Sequence, residues 1–94
     1  MIFEYAYLYI TPGREEEFER AFRQASPLLL AAEGCTSADL HRDAEASGRY
    51  LVRVGWESLF HHLDLFPDSE NAAELAKAIE PYFAKPPELR HFEA

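Results

Sequence analysis

The chain has 94 residues, 48% of them hydrophobic and 28% charged, with one cysteine and a formal net charge of −8. A chain of this length holds one hydrophobic core, so residues 1–94 are expected to form a single domain, and the balance of apolar and charged residues marks it as globular rather than disordered or fibrous. Seventeen acidic residues against nine scattered basic ones exclude a nucleic-acid binder, and no apolar run approaches the roughly 20 residues that a membrane span needs.

Ile2 to Ile10 is rich in aromatic and β-branched residues and reads as a strand. It lacks the basic flank and small-residue cleavage site of a secretion signal. The lone Cys35 makes no internal disulfide, which fits a reducing cytoplasm. One face of the strand carries Ile2, Glu4, Ala6, Leu8 and Ile10, the other Phe3, Tyr5, Tyr7 and Tyr9. Both faces are mainly apolar, so both need a cover.

Thr11-Pro12-Gly13 ends the strand, and Arg14 to about Ala32 reads as a helix. Glu15, Glu16 and Glu17 suit the positive end of its dipole, and Phe18, Ala21, Phe22, Ala25 and Leu29 recur at helical spacing as its buried stripe. Pro27 is expected to kink or restart it, and Glu33-Gly34 to end it. A weak strand follows from Thr36 to Arg42, then a polar turn. A stronger strand from Arg49 to Trp56 carries Tyr50, Val52, Val54 and Trp56 on one side and Leu51, Arg53 and Gly55 on the other.

Ser58 is placed to cap a short helix through Leu65, which Phe66-Pro67 breaks, and Ser69 to cap a longer one to about Tyr82. Ala72, Leu75, Ala76 and Ile79 share one face of that second helix, and Pro86-Pro87 precedes a last strand from Glu88 to Phe92. The order of elements is that of an α+β, ferredoxin-like split βαβ fold, a four-stranded antiparallel sheet with helices on one face. The second sheet face then needs a second copy of the chain, which predicts a homodimer joined through the sheet.

Six short features in order along the chain carry a resemblance to a known family. They are Pro12-Gly13 before an acidic helix, Gly34-Cys35 before the second strand, Trp56-Glu57-Ser58 at a strand end, His62 with Phe66, Ile79-Glu80-Pro81-Tyr82-Phe83, and Pro86-Pro87. In these the chain resembles the antibiotic biosynthesis monooxygenase (ABM) domain family of dimeric α/β-barrel proteins. The resemblance implies a pocket between sheet and helices for a flat aromatic molecule. It also implies oxidation of a quinol or polyketide-like substrate by O2, with no cofactor and no metal. In such oxygenases the phenol loses a proton and its anion, shielded from water, reacts with O2.

Family positions transfer unevenly. The Trp at the third strand's end falls on Trp56, an Asn earlier on that strand on Val52, a Tyr in the short helix on His62, and an Arg in the last long helix on Ala76. Haem-degrading relatives use an Asn in the first strand and a His in the last long helix, where this chain has Ala6 and Leu75-Ala76. The known haem-degrading arrangement is therefore not expected.

The candidate catalytic residues are Trp56 and His62, with Val52, Phe66, Ala76 and Tyr7 as substrate-pocket residues. Trp56 reads equally as a core anchor or a pocket wall. His62, whose ordinary pKa is near 6.5, suits proton abstraction from a phenol, or a structural hydrogen bond. His61 points about 100° away from His62 around a helix, so the pair is no chelate. His41 and His91 are candidates to approach each other in the sheet, without a carboxylate or thiolate at metal-ligand spacing. Arg53 is expected at the dimer interface with Asp39 or Glu4 as its partner, and Cys35 reads as a small inert hydrophobe. Two further functions stay open beside the oxygenase: a non-catalytic module that binds a small aromatic, and a structural or stress-related dimer whose pocket is filled by side chains.

Overall fold

A computed structural model describes residues 1–94. Strand β1 (Ile2–Tyr9) is followed by helix α1 (Glu15–Leu30), then the hairpin of β2 (Cys35–Arg42) and β3 (Arg49–Trp56). A π-helical turn (His61–Leu65) and a 3-10 turn (Phe66–Asp68) lead into α2 (Glu70–Ile79), a second 3-10 turn (Glu80–Tyr82) and β4 (Glu88–Glu93). The sheet is antiparallel in the order β2-β3-β1-β4, which is the ferredoxin-like arrangement.

Alternation along the strands decides which face the helices cover. Glu4, Ala6 and Leu8 of β1 and Tyr50, Val52, Val54 and Trp56 of β3 are buried on the helix side. Phe18, Phe22, Ala25 and Leu29 of α1 close over them, and Ile79 of α2 joins the same core. The other helix-face residues of α2, Ala72, Leu75 and Ala76, are only half-buried. They look into a space rather than onto side chains.

α1 runs through Pro27 unbroken. The ring removes the hydrogen bond that Arg23 C=O would accept from position 27, and the Ser26 hydroxyl donates to that carbonyl instead, at 3.2 Å. Gly34 turns the chain into β2 with φ +82°, a left-handed conformation that costs glycine little. A Cβ there would also strike the His61 ring, so Gly34 lets the end of α1 and the π-turn approach closely. Ser69 caps α2 by accepting from Ala72 N–H at 3.1 Å. The segment after α2 is pinned to the end of β1 by Thr11 N–H to Tyr82 C=O and Ala84 N–H to Tyr9 C=O, and β4 is thereby laid along β1. No helix is long and apolar enough to cross a membrane.

Candidate active site

The space beside α2 is a cavity of about 240 Å³ between sheet and helices. Its walls are apolar, from Ala6, Leu8, Val52 and Val54 of the sheet to Phe22, Leu29, Phe66, Leu75, Ala76 and Ile79 of the helical layer. Three polar residues reach it: Glu4 and His62 on one wall, and Glu80 near the Phe83–Pro87 segment. Larger depressions lie on the surface, one of about 600 Å³ lined largely by charged residues around Glu15–Glu19 and Arg42, and one of about 410 Å³ around Tyr7, Tyr9, His41 and Leu51. The first lacks apolar walls, and the polar residues of the second, His41, Arg42, Asp43 and Arg49, are all exposed. The cavity beside α2 instead sets the buried Glu4 and His62 among apolar walls, the combination that marks a small-molecule site.

The polar wall is one connected cluster. Trp56 at the end of β3 is wholly buried and donates its indole N–H to Glu4 Oε1 at 3.0 Å. The π-turn lays the His62 ring against the indole, stacked with centroids 5.1 Å apart and an 11° interplanar angle. His62 Nε2 is 3.2 Å from Glu4 Oε1, and its Nδ1 is 2.8 Å from His91 Nε2. His91 stands directly opposite Glu4 in the β1–β4 ladder. Each residue thus comes from a different element: β1, β3, the π-turn and β4.

Burial sets the charges. It pushes the Glu4 carboxyl above the usual carboxylate range, against the opposing pull of the Trp56 hydrogen bond. Burial, with the nearby charge of His91, pushes His62 down to about 4. His62 is therefore neutral near pH 7, and both of its ring nitrogens face protein partners.

The sequence profile described as antibiotic biosynthesis monooxygenase matches residues 1–78. The chain belongs to the ABM family. The uncharacterized protein YczJ of Bacillus subtilis (strain 168) is 34% identical over 93 residues, which span 99% of this chain and 98% of YczJ. A Bordetella bronchiseptica protein, provisionally named an antibiotic biosynthesis monooxygenase, has a crystal structure that matches with a TM-score of 0.95 at 39% identity. That match covers 99% of this chain and 95% of the other. A Caulobacter crescentus protein with the same provisional name shares the fold at 23% identity and a TM-score of 0.85, over 99% of this chain and 88% of its own. ABM membership supports a monooxygenase-like role.

The ABM fold brings some of the candidate residues together and separates others. His62, Val52, Phe66 and Ala76 all line the cavity. Trp56 does not reach it: fully buried, it acts on the cavity only through Glu4 and His62. Tyr7 does not line the cavity. It lies on the opposite sheet face, 44% exposed, because odd-numbered positions of β1 point away from the helices. His41 and His91 do not approach each other, since β2 and β4 are opposite edges of the sheet. Nor is Glu4 the partner of Arg53, which is on the other face with its guanidinium 4.9 Å over the Phe3 ring. Asp39 stands across from Arg53 in the ladder without forming an ion pair. His61 turns away to Ser58, with Oγ and Nδ1 2.8 Å apart.

Glu4 and His91 complete the cluster beyond the expected site residues. Glu4 had a legible signal: it is the one charged residue on an otherwise apolar strand face, and a buried polar group is the informative exception in a core. His91 had none without the β1–β4 register.

Proposed function

We propose that this ABM protein is a cofactor-independent monooxygenase acting on a small phenol- or quinol-type ring, and that a single unit of residues 1–94 works as a homodimer joined through its open sheet face. One observation carries the activity: an apolar chamber of about 240 Å³ with a titratable hydrogen-bonded cluster on one wall. A cavity of roughly 150 Å³ holds benzene, so this one suits a substituted single ring or a compact two-ring molecule. The walls exclude water from the ring, and a base beside it favours the phenolate that reacts with O2. In the overall change the phenol C–OH and the ring C–H para to it both become C=O, giving a quinone, one oxygen atom of O2 being retained and the other leaving as water with the two hydrogens removed.

The test is oxygen uptake by purified, metal-stripped protein with a panel of one- and two-ring hydroquinones, and with three-ring anthrones as the larger comparison, with His62→Ala as the control. Uptake above spontaneous oxidation is expected, falling about 100-fold in the variant when the titratable cluster is broken. Background uptake across the panel overturns the oxygenase reading.

A second reading has a specific observation behind it. Val52 and Ala76, which stand where the better-understood relatives carry an Asn and an Arg, put only aliphatic carbon on the cavity wall. A module that binds a small aromatic without oxidising it needs no more. Saturable binding of a hydroxyquinone with no oxygen consumption selects this reading.

A further inference from the structure

We propose that the cavity beside α2 admits uncharged phenols and turns away aromatic acids, and that Glu80 at its mouth is the specificity-determining residue. This rests on the reading of the cavity as the site for a phenol- or quinol-type ring, though not on that ring being oxidised.

The lining carries no fixed positive charge. None of the chain's nine lysines and arginines lines the cavity. Those that follow the rim in sequence are aimed elsewhere. Lys85 holds its ammonium 3.9 Å from the centre of the Tyr9 ring, and Arg90 stands opposite Tyr5, on the sheet face away from the helices. His62, the one basic side chain of the wall, is neutral near pH 7, burial holding its pKa at about 4. The other ionisable side chains of the lining are two carboxyls, the buried Glu4 and the exposed Glu80.

Backbone donors do not replace a cation here. Strand N–H groups point along the sheet toward neighbouring strands, not into the space above it. The first turn of α2, which reaches the cavity at Ala72, is already capped: Ala72 N–H goes to the Ser69 hydroxyl and Ala73 N–H to Ser69 C=O. An aromatic carboxylate in this space would lose its water and gain no partner of opposite charge, which is costly. A phenol enters uncharged. When its proton then passes to a base on the wall, the sum of charges in the cavity stays the same.

The mouth adds a second barrier. Leu89, on the cavity side of the edge strand β4, is 47% exposed, so the cavity opens between β4 and the end of α2. Glu80, Pro87 and Leu89 are the exposed residues of the lining, and Glu80 is the charged one. Its carboxylate is in no ion pair, so its charge meets whatever enters.

The test compares 2,5-dihydroxybenzoate with 2,5-dihydroxybenzamide, probes of nearly the same size that differ by one negative charge. Equilibrium dialysis under nitrogen at pH 7 measures their binding to the full chain without turnover. The wild type should bind the acid at least about 10-fold more weakly than the amide. Glu80→Gln should tighten the acid about 5-fold and Glu80→Lys about 25-fold, with the amide unchanged. Glu74→Gln, an exposed change on α2 outside the lining, removes the same charge from the chain and should alter neither. Equal binding of acid and amide by the wild type overturns the proposal, as does failure to bind either probe at millimolar concentration. A preference for the amide that survives in Glu80→Lys overturns the role of Glu80 and leaves the exclusion to Glu4. Equal effects of Glu74→Gln and Glu80→Gln also overturn it, because the net charge of the chain would then be the cause. Oxygen uptake with the same pair keeps the two readings apart. Background uptake overturns the oxygenase reading, while the dialysis still decides the charge selection.

Discussion

A histidine held neutral in a folded protein links stability to pH. His62 titrates near 4 in the folded chain and near 6.5 when unfolded. Between those values the unfolded chain binds a proton that the folded one refuses, so this contribution to stability is full above pH 6.5 and lost as the pH falls to 4. Glu4 works in the opposite sense. Its folded pKa is raised, so its contribution is present at low pH and is lost as the pH rises through the folded value. Glu19 completes the acid limb: Arg42, bound through two hydrogen bonds, and the Tyr50 hydroxyl hold its carboxyl at about 2. That contribution is present above about pH 4.5 and disappears as the pH falls toward 2. Urea midpoints recorded against pH should therefore show a flatter rise from pH 4 to 6.5 in His62→Gln than in the wild type, with the fall below 4.5 retained. Parallel curves from 4 to 6.5 would show that His62 is not neutral in the folded chain.

At the scale of elements, the cavity depends on how α2 is started and held. Its first turn is fastened by the Ser69 hydroxyl, which accepts from Ala72 N–H and donates to Phe66 C=O. Ser69→Ala should cost about 1 kcal/mol, read as a lower urea midpoint, with faster amide exchange in the first turn of α2. An unchanged midpoint would mean that packing of Leu75 and Ile79 alone fixes the helix. The Ser69 cap, the strand faces and the buried stripe of α1 were all legible in the sequence, because each follows from local chemistry or from a simple period. The π-turn was not. Its extra residue per turn leaves no signature in the Leu59–Leu65 pattern, yet it sets the His62 ring on Trp56. The partnership of Glu4 with His91 was equally hidden, since it depends on a register between the two ends of the chain. His41, on β2, is kept from His91 by strand order alone, because β2 and β4 are opposite edges of the sheet.

The whole molecule leaves one face of its sheet without a cover. Phe3, Tyr5, Tyr7 and Tyr9 of β1 lie there with Leu51 and Arg53 of β3 and Phe92 of β4, and Phe92 is 52% exposed although it packs edge-on against Tyr5 at 5.2 Å. Arg53 Nε is buried on this face with no hydrogen-bond partner, the one such side-chain atom in the chain. A buried N–H without an acceptor costs roughly 1–3 kcal/mol, and a second copy seated on the sheet would supply an acceptor as well as cover for the aromatic rows. Two-fold pairing meets both needs with a single surface. Light scattering should therefore give twice the 10.8 kDa of the chain for the wild type. Phe92→Glu, which puts a charge into the apolar face, should give the mass of one chain with the same fold by circular dichroism. Arg53→Met removes the unpartnered donor while keeping an apolar stem, so it should fold as well as the wild type. A wild-type mass of 10.8 kDa at micromolar concentration would refute pairing through this face. A dimeric Phe92→Glu would move the contact elsewhere.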